Sequence, residues 1–239
     1  MKVALWVLAL VWPLSASGQT VFFDDFEGNA LLPHWILQPP PSHWEHTVSN
    51  SMLNVTGLFF PGIPHASFNI ADMVALFPSQ TDFRVDVWMG WDQFTSPHRL
   101  ALTVLGPGGT PIVASVGYRW DGAFGPNPII FAGGGGQAVG IPPPPPGMYQ
   151  FTITRVAAEF NFYFDGNLFA TFQDVFGTPA GGLHFQFLGS WDPSAPFGAL
   201  HIDRVQVVPT PGMLLIALPL GLACACGRTR RFVTTNQGA

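Results

Sequence analysis

The side chains best suited to chemistry in this sequence lie in one alternating stretch, DFRVDVWMGWD, which ends at Asp92. Arg84, Asp86 and Trp88 share one side of an extended chain there, because successive side chains in a strand point to opposite faces. An indole ring offers an apolar surface to a sugar ring, and a carboxylate and a guanidinium can bond the sugar's hydroxyl groups. We therefore predict a carbohydrate-binding surface made of Arg84, Asp86, Trp88 and Asp92. The alternative is that the exposed aromatic side chains cover a neighbouring loop.

Metal-ligating residue types are present, but they form no complete motif. In SHWEH, His43 and His46 lie three residues apart with Glu45 between them, a spacing that zinc sites use together with a third and a fourth ligand. Without those ligands, we expect a loop with solvated histidines. Calcium prefers hard oxygen ligands, which Asp24, Asp25, Asp121, Asp165, Asp192 and Asp203 would supply. Because no calcium-loop motif is present, we predict no cofactor.

The charge distribution excludes nucleic acid as a partner. Charged residues make up 10% of the 239 residues, against about 25% in average proteins. Lys2, Arg228, Arg230 and Arg231 lie near the two ends, which leaves five basic residues against fourteen acidic ones in the rest of the chain. Nucleic-acid binding requires clustered cations, and the five basic residues of the central region form no cluster in the sequence.

Composition and alternation indicate an all-β fold. The chain has 22 Phe, 8 Trp, 27 Gly and 24 Pro, a composition typical of short strands joined by turns. Around the candidate site, Phe83, Val85, Val87, Met89 and Trp91 alternate with the polar side chains, as in a half-buried antiparallel strand. Further strands are predicted at Val21–Phe26, Met52–Val55, Leu100–Leu105, Ile112–Trp120, Met148–Thr154, Leu183–Leu188 and Leu200–Val207. About ten strands without an amphipathic helix require two packed sheets.

Two further stretches contain strong turn residues. EFNFYFDGNLFATF predicts a hairpin in which Phe160, Phe162 and Phe164 share one face and Asp165-Gly166-Asn167 forms the turn. FAGGGGQAVGIPPPPPG is interpreted as one long loop at the rim of the fold, with flexible glycines followed by a stiff polyproline stretch.

The N-terminal residues 1–18 have the composition of a secretory signal peptide. Lys2 precedes an apolar stretch from Val3 to Leu14, and small residues follow it. The apolar stretch is too short for a good membrane span. We therefore predict export of a single β-sandwich domain over residues 20–208.

The C-terminal region predicts a short membrane helix. Residues 212–227 carry no charge and are followed by Arg228, Arg230 and Arg231. Sixteen helical residues cover about 24 Å, less than the ~30 Å hydrocarbon core of a bilayer. Because basic residues mark the cytoplasmic side, we expect residues 232–239 to form a short cytoplasmic tail and the domain to lie outside.

Together, Pro209-Thr210-Pro211, the apolar run and the arginine cluster resemble the PEP-CTERM sorting tag of Gram-negative bacteria, here over residues 209–231. Pro209 and Pro211 match the two prolines of the tag, and Thr210 stands in place of its usual Glu. The resemblance implies processing by exosortase, a membrane transpeptidase-like enzyme found often in strains that make exopolysaccharide. The chain would then cross the inner membrane in transit and reach the cell surface or the medium. A permanent membrane anchor is the alternative.

The central region resembles the concanavalin A-like lectin/glucanase jelly roll in three segments, DDFEGNALLPHW, FNFYFDGNLFATF and ALHIDRVQVVP. Glucanases of this family carry Glu-x-Asp-x-Glu or a close variant on one strand, because glycoside hydrolysis uses two carboxylates. On the strand of the candidate site the alternate positions hold Asp82, Arg84, Asp86, Trp88 and Gly90, so the triad is absent. The glutamates Glu27, Glu45 and Glu159 lie in no such pattern.

These observations lead to one main hypothesis and one alternative. The main hypothesis is an exported, non-catalytic surface or matrix protein that binds polysaccharide, with no catalytic residues. The alternative is a polysaccharide-cleaving hydrolase or lyase of the glucanase-like jelly roll.

Overall fold

A computed structural model of the chain describes residues 19–37, 44–57, 68–92, 98–119, 127–190 and 199–210. The predicted signal peptide, the predicted membrane helix, Pro211 and the three C-terminal arginines lie outside these residues. Within them, the single helical element is a 3₁₀ turn at Pro107–Gly109, and no helix is long and apolar enough to cross a bilayer. The strands are β1 (Phe22–Asp24), β2 (Ile36–Leu37), β3 (Trp44–Ser49), β4 (Met52–Gly57), β5 (Phe68–Gln80), β6 (Phe83–Trp91), β7 (His98–Leu105), β8 (Ile112–Arg119), β9 (Ile129–Gly134), β10 (Gln137–Ile141), β11 (Gly147–Val156), β12 (Glu159–Phe164), β13 (Asn167–Gln173), β14 (Ala180–Ser190) and β15 (Leu200–Pro209).

The strands form two antiparallel sheets. The eight-stranded sheet has the order β13-β12-β11-β6-β15-β4-β3, and β1 pairs with β15 beside β4. The seven-stranded sheet has the order β10-β9-β8-β7-β14-β5-β2. This arrangement confirms the prediction of an all-β, two-sheet antiparallel sandwich.

One hydrophobic core fills the space between the sheets. Phe83, Val85, Val87 and Met89 on β6 are fully buried, which confirms the predicted alternation of that strand. Phenylalanines dominate the facing surfaces of both sheets, and those with no exposed area are Phe83, Phe151, Phe160, Phe162, Phe185 and Phe187. Because burial of each such side chain contributes about 1.5–3 kcal/mol, the domain needs no disulfide. The two cysteines of the chain lie beyond it, at positions 224 and 226.

Two hairpins have glycine-containing two-residue turns, one predicted and one missed. Asp165 and Gly166 connect β12 to β13 with φ angles of +46° and +75°, as a type I′ turn requires. The interpretation of FAGGGGQAVGIPPPPPG as a single loop is wrong, because β9 and β10 form a second hairpin there. Gly135 and Gly136 make its turn with φ angles of +57° and +79°, which glycine adopts without steric cost.

His46 lies on a strand, so the prediction of a loop with solvated histidines is wrong for this residue. β3 pairs with β4 so that His46 lies opposite the fully buried Val55. Its ring is half-buried, 6.1 Å from the ring of Phe187, and its Nε2 atom has no hydrogen-bond partner in the described part of the chain. Burial lowers the pKa of His46. His43 lies outside the described residues.

The first segment of the jelly-roll resemblance is organised around one buried carboxylate. Asp24 accepts hydrogen bonds from the backbone N–H of Phe26 at 2.8 Å and from the indole Nε1 of Trp35 at 2.6 Å. His34 Nε2 lies 3.2 Å from the same carboxylate. Asp24 therefore fixes the loop between β1 and β2, which gives this aspartate a structural role.

The last strand extends further than the sequence indicated. The predicted strand ends at Val207, but β15 also includes Val208 and Pro209, and Pro209 lies opposite Phe83 on β6. Because Pro209 is the last residue of the strand, its missing N–H removes little of the hydrogen bonding between the strands. Thr210 then donates from its backbone N–H to Asp82 O and from its hydroxyl to Arg155 O, both at 3.2 Å. These two bonds attach Thr210 to the sandwich.

Candidate functional site

The outer face of the eight-stranded sheet carries three of the four predicted binding residues. Arg84, Asp86 and Trp88 alternate along β6 with the buried core residues. The register places Trp88 beside Gln150 on β11 and beside Arg204 on β15. On this face of the central strand Arg84 is exposed, Trp88 is half-buried and Asp86 is buried.

Asp86 is the centre of a hydrogen-bond network on this face. Arg84 donates to it from Nε at 2.7 Å and from Nη2 at 2.9 Å, the bidentate geometry that suits a carboxylate. Thr152 Oγ1 donates at 2.5 Å and Gln150 Nε2 at 3.3 Å. The hydrogen bond with Asp86 raises the pKa of Arg84. The network therefore holds the guanidinium of Arg84 in one orientation at the surface.

Trp88 is half-buried and is partly covered by a residue that the sequence analysis did not identify. The Arg204 guanidinium carbon lies 4.1 Å from the centroid of the Trp88 ring, within cation–π distance. The Nε atom of Arg204 is buried and has no hydrogen-bond partner among the described residues. Arg204 therefore occupies one face of the indole that the sequence analysis assigned to a sugar.

A cleft of about 250 Å³ opens beside this network. Arg84 lines it from β6, Tyr163 lines it from β12, and β11 contributes Gln150, Thr152 and Thr154. The β11 residues were missed, although they lie at alternate positions of a predicted strand and are all polar. That pattern was the available signal for a functional face. The cleft combines one aromatic ring with several hydrogen-bonding groups, as small-molecule sites commonly do.

Asp92 is not part of this cleft. It follows the end of β6, about 26 Å from Arg84 at about 3.3 Å per strand residue. With His201, Met52, Met148 and Trp91, Asp92 lines a separate cleft of about 340 Å³.

Asp92 is bonded to a histidine that links three segments of the sheet. His201 Nε2 lies 3.2 Å from Asp92 Oδ1, and His201 Nδ1 lies 2.7 Å from Asn54 Oδ1. The Asn54 amide nitrogen donates to Ser49 and to Met52, so its oxygen faces the ring. Both ring nitrogens of His201 thus face acceptor oxygens.

The outer face of the seven-stranded sheet has a different character. Arg99 and Arg119 place their guanidinium carbons 5.3 and 5.8 Å from the centroid of the Phe131 ring. The described strands of this sheet contain a single acidic residue, Asp72 on β5. The two carboxylates that glycoside hydrolysis uses could therefore not both come from the described strands of this sheet.

No group of three or more His, Cys, Asp or Glu side chains in the described part of the chain is arranged to hold a metal ion. Two of the six candidate calcium ligands, Asp121 and Asp192, lie outside that part. Asp165, a third candidate, accepts the backbone N–H of Gln150 at 2.9 Å and shapes the β12–β13 turn.

No protein-family model and no curated protein sequence matches this chain. Solved structures do match it. A sialidase gives a TM-score of 0.61 at 14% identity over 82% of this chain, which spans 19% of the sialidase. The CBM2 module of the evolved Dit of Lactobacillus casei BL23 phage J-1 gives 0.60 at 16% identity, covering 80% of this chain and 95% of the module. The catalytic domain of an endo-1,3-beta-glucanase (laminarinase) from Thermotoga petrophila RKU-1 gives 0.57 at 14% identity, covering 82% of this chain and 99% of that domain.

The fold is a concanavalin A-like jelly roll. This confirms the predicted fold class, and at these identities the likeness concerns the fold alone. Other glycoside hydrolases are also among the matching structures. These neighbours contradict the expectation that the chain is not an enzyme, because the same fold occurs in glycoside hydrolases. The lack of one motif on β6 does not exclude catalysis.

Proposed function

We propose that this domain recognises a polysaccharide on the outer face of its eight-stranded sheet. The observation that carries the proposal is the cleft that Arg84, Gln150, Thr154 and Tyr163 line together. The ring supplies an apolar surface, and the polar groups supply donors and acceptors for hydroxyl groups. The fold that the chain shares with the CBM2 module and with glucanases supports the same class of ligand.

The electrostatics of the cleft favour a neutral or weakly charged glycan. Arg84 uses two of its five N–H donors on Asp86, which leaves three for a ligand or for water. Because Asp86 balances the charge of Arg84, the cleft offers directed donors without a strong positive field. A ligand rich in hydroxyl groups suits such a surface better than a sulfated or phosphorylated one, which prefers uncompensated cations.

Cleavage of the bound polysaccharide is the second candidate function. It is favoured by the likeness to the laminarinase catalytic domain and to other glycoside hydrolases. In that case Asp86, which accepts hydrogen bonds from Arg84, Thr152 and Gln150, would be a carboxylate of the site.

The proposal extends to where the protein acts. An apparent signal peptide over residues 1–18 and a tag-like segment over residues 209–231 support export through the inner membrane, processing by an exosortase-like enzyme and delivery to the cell surface or medium. An exopolysaccharide of the same cell would then be the nearest glycan.

A binding and cleavage screen tests both candidate functions. Residues 19–210 are run through gels containing bacterial or algal polysaccharides, and each mixture is assayed for new reducing ends. Tyr163→Ala should lose retention, whereas Phe23→Ala, which removes an exposed aromatic ring from β1 of the same sheet, should keep it. New reducing ends that disappear in Asp86→Asn would support cleavage. If the wild type is retained by no polysaccharide, or if both aromatic variants bind equally, the proposed function is wrong.

A further inference from the structure

The most exposed large apolar side chains of the described residues cluster at one end of the sandwich. Ile112, Val175 and Phe176 are 68%, 65% and 68% exposed, more than any other large hydrophobic side chain there. Ile112 begins β8, and the other two lie in the turn between β13 and β14. Both positions belong to the end at which β15 finishes. Single exposed apolar residues are ordinary, but a cluster marks an interaction surface.

The turn that carries Val175 and Phe176 is held rigidly. Asp174 Oδ1 accepts the backbone N–H groups of Phe176 and Gly177, both at 3.0 Å. Its other oxygen lies 2.6 Å from Arg155 Nη2, and both side chains of this ion pair are 3% exposed. The two apolar side chains are therefore presented on a fixed support.

Ile112 follows a loop that packs against the same turn. The backbone N–H of Gly106 donates to Pro111 O at 2.8 Å, which closes the loop just before Ile112. A Cβ atom on Gly106 would lie 3.0 Å from Thr178 Cγ2. The two loops are thus neighbours, and their exposed apolar residues lie at the same end of the sandwich. We call Ile112, Val175 and Phe176 the apolar end.

The turns around the apolar end carry almost no charge. The described turns over residues 81–82, 106–111, 135–136, 157–158 and 174–179 contain two charged residues, Asp82 and Asp174. Asp82 Oδ1 accepts the backbone N–H of Ala157 at 3.1 Å, and Asp174 is paired with Arg155. No lysine or arginine lies in these turns, so they do not resemble a surface for an anionic polymer.

The described chain ends at the same place. Thr210 is bonded to Arg155 O, and Arg155 is in turn bonded to the Asp174 that supports Phe176. The uncharged residues 212–227 begin two positions later, a distance of at most about 7 Å. If that stretch enters a bilayer, as the sequence predicts, the lipid surface must lie against this end of the domain.

We propose that the apolar end docks on the lipid surface and inserts Ile112, Val175 and Phe176 into the bilayer interface while the C-terminal stretch is in the membrane. The occupant is lipid because the neighbouring chain is apolar and the surrounding turns contain no basic residue and only two acidic ones. The outer faces of both sheets then point sideways and stay accessible. This inference does not depend on glycan binding.

Depth-dependent quenching in the full-length chain tests the proposal. In a Cys224→Ser, Cys226→Ser background, a fluorophore is attached at Phe176→Cys, at Ile112→Cys or at Leu168→Cys, and the protein is reconstituted into phosphatidylcholine vesicles with doxyl-labelled lipid. Leu168 is the matched control, because it is 55% exposed and lies at the opposite end of β13. Doxyl lipid should quench the labels at 176 and 112 several-fold more than the label at 168.

Two other outcomes would overturn the proposal. Equal quenching at all three positions, or none in vesicles that sediment with the protein, would show that the apolar end does not meet lipid. The label at 176 could instead become shielded from water in the absence of vesicles, to a degree that rises with protein concentration. That result would show that a second copy of the chain covers it.

Discussion

The buried ion pair between Arg155 and Asp174 gives a sharp test of the described packing, through the substitution Asp174→Asn. The two side chains are 3% exposed, and Arg155 Nε and Nη2 lie 2.7 and 2.6 Å from Asp174 Oδ2. Asparagine keeps an oxygen for the backbone N–H groups of Phe176 and Gly177 but removes the charge. The guanidinium is then left buried with Thr81 O as its remaining hydrogen-bond acceptor in the described structure.

Loss of one partner of a buried pair costs about 3–5 kcal/mol, because the other charge stays desolvated without compensation. We therefore expect Asp174→Asn to lower the free energy of unfolding by that amount. Urea denaturation of residues 19–210 measures it. The matched control is Asp165→Asn at the other end of β13: this residue is exposed, and asparagine tolerates its φ of +46°. The control should change stability by less than about 0.5 kcal/mol.

A double variant separates loss of the pair from general damage. Arg155→Met in the Asp174→Asn background removes the uncompensated charge and should recover part of the lost stability. If Asp174→Asn costs less than about 1 kcal/mol, or if the double variant loses the sum of the two single losses, the ion pair is not buried as described.

Three further predictions concern the core edge, a turn and the tail. Burial lowers the pKa of His46 from 6.5, so unfolding is accompanied by binding of a proton as the pH falls below that value. The contribution of His46 to the free energy of unfolding should be full above about pH 6.5 and should fall as the pH drops toward the folded-state pKa. Urea titrations at about pH 5 and about pH 7.5 should show a smaller difference in stability for His46→Leu than for the wild type. Gly136→Ala should lower the free energy of unfolding by about 1 kcal/mol because φ is +79°, whereas Gly136→Asn should cost less; equal losses would contradict this account of the β9–β10 turn. Mass spectrometry of the surface or secreted form in the native host should show a chain cut near Pro211, as the resemblance to the sorting tag implies. Peptides from residues 232–239 still joined to the domain would show a permanent anchor.

The strands with alternating patterns could be predicted, and those without them could not. β6 and the β12–β13 hairpin follow from the alternation of Phe83, Val85 and Val87 and from the Asp165-Gly166 turn. β9 and β10 were missed because four consecutive glycines indicate a flexible segment. In the structure β9 is held as a strand by its pairing with β8, which the local sequence does not show. β5 was missed because its residues do not alternate cleanly.

The candidate site was predicted only along one strand. Alternation on β6 placed Arg84, Asp86 and Trp88 on one face, and the structure confirms that placement. Nothing in a single sequence specifies strand order, so the neighbours β11 and β15 could not be assigned. For that reason Gln150 and Arg204 were missed, and Asp92 was grouped with residues about 26 Å away.

The central claim, that glycan binds the outer face of the eight-stranded sheet, is tested most directly by a pair of glutamine variants. Gln150 lines the cleft on that face, and Gln186 lies on β14 in the seven-stranded sheet. Titration calorimetry with the polysaccharide that retains the wild type measures both variants. Gln150→Ala should weaken binding about two- to tenfold, the value of one hydrogen bond, and Gln186→Ala should leave it unchanged. Loss of binding in Gln186→Ala with full binding in Gln150→Ala would place the glycan on the other sheet and contradict the account.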